Sequence, residues 1–196
     1  DDMRLLMARN LGWEQLDLKR FDVVRRLDAT AGNEANMAAL AQIPGYAMHR
    51  EDDGIVEPNA SFIYLSTDVG IGGAVVIGGK LFNGFANRGT ELGHVPLIAN
   101  GEPCACGSVG CLEHYASTSA LVRRFSKRAA EAGISFPGEE INGELIVRLY
   151  KEGDKLATEC LDEHCDFLGH GIAGFINIFS PQRIVIGGGL SEAGDF

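Results

Sequence analysis

The sequence predicts a mixed α/β fold, on three observations. β-rich runs, FIYLS from Phe62 and GAVVI from Gly73, stand between stretches of helical period. Gly78-Gly79 lies between two apolar stretches, where a tight hairpin turn needs positive φ at both central residues. Leu168, Ile172, Phe175, Ile176 and Phe179 repeat at helical spacing, and RIVIGGG follows as a buried strand feeding a glycine turn.

Taken in order, DDMRLLMARNLGW offers neither a cap nor a strand signal before its apolar pattern begins. IVIGGGLSEAGDF runs a strand into three glycines and stops. The chain therefore reads as a fragment of a longer polypeptide, truncated at both ends. Leu16, Phe21, Val24 and Leu27 predict a first helix. GNEANMAALAQ predicts a second, with Met37, Leu40 and Ala41 as its apolar face and Pro44-Gly45 as its stop. Beyond the hairpin, STSALVRRFSKRAAEAG begins with hydroxyl caps and ends in glycine, and EEINGELIVRLYKEG supplies a further helix. The last helix ends at Ser180-Pro181.

With 196 residues, 45% of them hydrophobic, the chain can bury a proper core as one large domain or two lobes. A formal net charge of -10 argues against wrapping nucleic acid, because affinity for phosphate backbones rests on clustered Lys and Arg. The basic clusters Arg25-Arg26, Arg123-Arg124 and Lys127-Arg128 fall in helical patterns and read as solvated faces. No window approaches the ~18 uninterrupted apolar residues of a membrane span, and no secretory leader pattern opens the chain, so no membrane is expected and a cytoplasmic protein is. Five cysteines, three of them inside eight positions, do not form a secreted disulfide framework; metal binding suits them better. Cys160 and Cys165 read as core residues of the last helix, and His164 and His170 as helix-face residues.

His94, Cys104, Cys106 and Cys111 have the spacing H-x9-C-x-C-x4-C. Three thiolates and one imidazole make a closed tetrahedral zinc shell with no position left for a catalytic water, so such a site is structural. Gly101, Gly107 and Gly110 let the backbone turn sharply enough for the thiols to converge. On spacing alone the alternative is a loop of three buried, reduced cysteines beside an unrelated histidine.

ELGHVPLIANGEPCACGSVGCLE, from Glu91 to Glu113, closely resembles the signature of the ROK family of repressors, uncharacterised reading frames and sugar kinases. GNEAN at Gly32 to Asn36 resembles that family's N-D-A-N segment, DVGIGGAVVIGGKLFNG its second phosphate loop and hairpin, and IVIGGGLS its adenosine-side strand and turn. The resemblance covers nearly the whole chain and implies an actin-like (ribonuclease H-like) α/β fold, mostly the second lobe. Residues 1–50 would then hold the end of the first lobe and a cleft segment, and residues 51–196 the second lobe with the zinc loop at 91–113. It also implies that Asn33, Glu34, Glu91, His94 and Glu113 face a sugar. Paired sugar hydroxyls need bidentate acceptors, which carboxylates provide, and a hydroxyl left unpaired on burial costs about 1–3 kcal/mol. A histidine with one ring nitrogen on zinc can offer the other to the sugar.

Two departures from the kinase pattern bear on activity. Kinases of this family take their general base from the aspartate of N-D-A-N, where this chain has Glu34, and a misplacement of roughly 1 Å can cost ~10²-fold in rate. Glu34 can also serve simply as a first-turn acid favouring the helix dipole by ~0.3–1 kcal/mol. Where the kinases resemble G-T-G-I-G-G, this chain reads Asp68-Val69-Gly70-Ile71-Gly72-Gly73, a degenerate phosphate loop that gains a negative charge. About 4 Å from a phosphate oxygen that charge costs ~1 kcal/mol in water and ~4 near a protein surface, so ATP is not expected as a ligand. Gly70, Gly72 and Gly73 then read as a tight turn supporting a hairpin. Both departures resemble those of ROK transcriptional regulators. The expectation is the sugar-binding effector part of such a regulator, a homodimer or homotetramer reaching DNA through an upstream winged helix-turn-helix. The alternatives are an ATP-dependent, glucokinase-like sugar kinase and a purely structural zinc module.

Overall fold

Arg4–Ala8 (β1) and Trp13–Asp17 (β2) pair antiparallel, Arg4 opposite Asp17 and Ala8 opposite Trp13, where the sequence offered no strand signal. They belong to a computed structural model that describes residues 3–8, 12–27, 31–43, 57 and 59–189. The first predicted helix is displaced and shortened, because Leu16 lies inside β2. The Asp17 carboxylate then accepts the Lys19 amide at 2.9 Å and caps a 3-10 turn, Leu18–Arg20. Among the described residues of this stretch only Asp22–Arg26 (α1) is α-helical, edged by exposed pairs of Asp22 with Arg25 and Arg26 that contribute little. These elements form one compact unit, Asp1–Asn33; Glu34–Phe196 forms the other.

The second unit opens with Glu34–Ala41 (α2). Its buried face is Ala35, Ala39 and Leu40, not the Met37, Leu40 and Ala41 face expected, and Met37 is 46% exposed. Close approach explains the difference: a Cβ on Gly72 would lie 3.2 Å from the Ala35 Cβ, a gap too small for a longer side chain. The expected stop at Pro44-Gly45 lies outside the described residues.

Phe62–Thr67 (β3), Ile71–Ile77 (β4) and Lys80–Leu81 (β5) follow as two successive hairpins. Gly78 and Gly79 turn between β4 and β5 at φ +56° and +75°, as the hairpin demands. All six residues of β3 are buried, as suits a strand covered on both faces. Alternation divides them: Phe62 and Tyr64, with Ala74 and Val76 of β4, pack on α2, whereas Ile63 and Leu65, with Ile71 and Val75, face the opposite layer.

That layer is helical. Glu113–Ala116 (α3), Thr118–Glu131 (α4), Gly143–Lys151 (α5) and Lys155–Phe179 (α6) supply it. The Ser117, Asn142 and Asp154 side chains cap α4, α5 and α6 by accepting the amides of Ala120, Leu145 and Ala157. Leu112, Ala116 and Phe175 bury against the sheet with Leu168, Ile172 and Phe179 beside them; Ile176, expected on that face, is exposed. A second helical core gathers Leu121, Phe125, Ile146, Cys160 and Leu161. Arg183–Gly187 (β6) completes the sheet parallel to β3, in the order β5-β4-β3-β6. Expected to be buried, β6 is half-exposed, since among the described residues it pairs on one side only.

Other readings also change. Arg124 and Arg128 are not on a solvated face: both reach across to Glu163 on α6. Cys160 is buried as expected, but Cys165 is exposed. His170 is an exposed helix-face residue, its Nδ1 2.7 Å from the Asp166 carbonyl, but His164 is fully buried. Among the described residues no helix is long and apolar enough to cross a membrane.

Candidate functional site

Glu91 leads into a 3-10 turn, Leu92–His94, that docks directly on β4. A Cβ on Gly93 would meet the Ile71 carbonyl oxygen, and one on Gly73 would lie 2.7 Å from the Leu92 side chain, so glycine at both positions lets the turn seat. From there the chain folds into a narrow double-backed loop. Leu112 donates to the Val95 carbonyl at 2.9 Å, Gly110 to Glu102 at 2.8 Å, and Cys104 to Ser108 at 2.8 Å. Gly107 and Gly110 adopt φ of +94° and +71°, and a side chain at Gly110 would strike the Ile98 carbonyl.

This folding brings His94, Cys104, Cys106 and Cys111 together, with one donor atom from each lying within 4.8 Å of all the others. The His94 Nδ1 is 3.6 Å from the Cys104 Sγ, and the Cys106 and Cys111 sulfurs are also 3.6 Å apart. Zinc bonds of ~2.3 Å to sulfur and ~2.0–2.1 Å to nitrogen, at tetrahedral angles, put ligand atoms about 3.6–3.8 Å from one another, so the donor set fits that metal. No disulfide consumes the thiols. Burial pushes the Cys111 thiol up to about 12, while the Ser108 backbone draws Cys106 below the ordinary thiol range. A cation that deprotonates the set would offset the cost at Cys111.

Three of the predicted carboxylates gather at the same end of the sheet. The Glu113 Oε2 accepts the Ile71 amide at 2.9 Å and packs so closely that a Cβ on Gly70 would come within 2.5 Å of it. Glu91 is exposed at the head of the His94 turn, itself seated on Ile71 and Gly73. Glu34, the first residue of α2, accepts the Ser66 hydroxyl at 3.3 Å, and Ser66 pairs with Gly72. Asn33 falls in the other unit and is exposed there. Gly70 lies in the β3–β4 turn, whereas Gly72 and Gly73 belong to β4 proper, where their lack of a side chain admits α2 and the His94 turn. In that turn Asp68 donates its amide to the Gly70 carbonyl and accepts the Thr118 amide on its own carbonyl, each at 2.9 Å. Beside Asp68 opens a cavity of about 730 Å³, lined also by Thr118, Asn142, Gly143, Val147 and Gly189. Sequence reasoning missed Ser66 and the Ile71 amide as partners of the acids; both are β-sheet groups whose reach depends on register.

A family model described as ROK family matches residues 1–196. The chain belongs to the ROK family. Its fold is accordingly the actin-like α/β fold of ROK proteins. The xylose repressor of Caldicellulosiruptor bescii is 32% identical over 199 residues, which cover 97% of this chain and 47% of the repressor. The structure of a ROK family glucokinase from Streptomyces griseus, in complex with glucose and AMPPNP, is similar with a TM-score of 0.82 and 30% identity, covering 98% of this chain and 62% of that one. A ROK family transcriptional regulator, a homologue of the E. coli MLC protein, matches with a TM-score of 0.77 and 27% identity, covering 98% of this chain and 47% of that one. The chain thus spans about half the length of the xylose repressor and of the regulator.

Proposed function

We propose that this chain is the sugar-sensing, effector-binding part of a ROK transcriptional regulator, with zinc held by His94, Cys104, Cys106 and Cys111 as a structural element. The β3–β4 turn carries the reading. A nucleotide phosphate there needs free amides and no negative charge. Instead the Ile71 amide is bound to the Glu113 carboxylate and the Asp68 amide is bound within the turn, to which the Asp68 side chain adds a further negative charge. Glu34, at the kinase-base position, is tied to Ser66.

Zinc would supply rigidity: it fixes the tautomer and direction of His94, whose Nδ1 faces the thiols and leaves Nε2 for a sugar hydroxyl. Glu91 and the second oxygen of Glu113 offer acceptors for neighbouring hydroxyls, and Asn33 and Glu34 are the further sugar-binding candidates. The ligand is an aldose, with xylose and glucose, the sugars in the relatives' names, the first to test. DNA contact would come from an upstream helix-turn-helix in a homodimer or homotetramer, which fits the acidic charge of the chain itself.

An ATP-dependent sugar kinase is the second reading, favoured by the likeness to the glucokinase. A coupled phosphorylation assay on the full-length protein with a panel of aldoses separates the two. The regulator reading predicts sugar-dependent thermal stabilisation without turnover, with the sugar response much reduced in Glu113→Gln. Turnover above about a few per second, within the ordinary enzyme range, would establish the kinase instead.

A further inference from the structure

We infer that Tyr115 is a positioning residue for the loop that carries Cys104 and Cys106, a role that rests on the zinc reading of that loop. Tyr115 lies in α3, four residues past Cys111, and its hydroxyl oxygen accepts the Glu102 amide at 2.7 Å, two residues ahead of Cys104. This bond closes a cross-link at the base of the donor cluster, short in sequence on both sides. Gly101 makes room for it: a Cβ there would meet the phenol oxygen and come within 2.9 Å of the Gly110 Cα.

The phenol is itself held from behind by two helices. Its ring centroid is 5.1 Å from that of Phe167 on α6, and the Arg124 guanidinium of α4 lies 5.3 Å over the same Phe167 ring. The Arg124 Nη2 donates to the Tyr115 carbonyl at 2.8 Å, while its Nε pairs with Glu163 at 3.3 Å. With only 12% of its side chain exposed, Arg124 is a fixed buttress. None of these groups can ligate a metal through this arrangement; all of them determine where the segment from Glu102 to Cys106 runs. Partners that orient ligands from outside the coordination shell typically carry 10–100-fold in metal affinity.

Tyr115→Phe keeps the ring and removes the acceptor. In competition with a chromogenic chelator, this variant of the full chain should bind zinc about tenfold more weakly or worse, and its cobalt-substituted form should show shifted d–d bands. Its metal-free urea midpoint should stay that of the wild type. In the wild-type chain the Glu102 amide should exchange slowly with deuterium. A zinc affinity within about twofold of wild type, with an unchanged cobalt spectrum, would overturn the role, as would a fast-exchanging Glu102 amide in the wild type. A wild-type chain that takes up no zinc fails earlier and sinks the zinc reading itself.

Discussion

His164 is fully buried at the α4–α6 contact, and neither of its ring nitrogens has a partner. Burial first, and the Arg124 guanidinium second, push its pKa down to about 4 from an ordinary value of 6.5. The folded chain therefore holds this imidazole neutral, and the unfolded chain binds the extra proton. The corresponding stability is fully present above pH 6.5 and is lost as the pH falls through about 4, an effect on the order of 3 kcal/mol. The comparison that isolates His164 from every other acid-dependent change is with His164→Leu. Between neutral and acid pH the urea midpoint should fall further in the wild type than in the leucine variant. Equal losses in the two chains would mean the imidazole finds a partner in solution. No pattern in the sequence distinguishes this histidine from His170, six residues along the same helix, because helical phase alone decides which one is buried.

Among the elements, α4 was legible from its hydroxyl cap and following glycine, α6 from its apolar spacing and the Ser180-Pro181 stop, and Gly78-Gly79 marked its hairpin outright. Readings failed where close approach or pairing overrode hydrophobicity. Met37 yields its place to Ala35, which fits against Gly72, and Leu16 was drawn into a strand whose residues are mostly exposed. The candidate site was legible as a list of donors and acids, but not as a geometry: nothing local predicts that Glu113 binds the Ile71 amide 42 residues away. The turn bearing His94 tests how tightly these elements are joined. Gly93→Ala would press a methyl group onto the Ile71 carbonyl, a backbone group of β4 that cannot rotate aside as a flexible side chain could. The expected cost is about 1–3 kcal/mol, read as a lower urea midpoint at unchanged slope, together with weakened zinc binding. An unaltered midpoint would show that the turn does not seat on β4 as described.

For the protein in its entirety, one end of the sheet gathers the candidate site: the β3–β4 turn, the first turn of α2, and a cysteine loop whose own backbone has little apolar surface to hold it. Val95, Ile98 and Val109 of that loop are all more than a third exposed, so burial contributes little to its shape. Rigidity there must come from the backbone bonds across the loop, from Tyr115 and, in the proposed zinc-bound state, from a metal bridging the four donors. Zinc binding in such sites is folding free energy as much as ligation, and under the proposed function it would also set the direction of His94. X-ray absorption at the zinc edge, on the full-length protein purified without added metal, measures this directly. One zinc per chain is predicted, with three sulfurs at ~2.3 Å and one nitrogen at ~2.0–2.1 Å. A chain that folds and binds sugar with no zinc, or with zinc surrounded by oxygen ligands only, would contradict it.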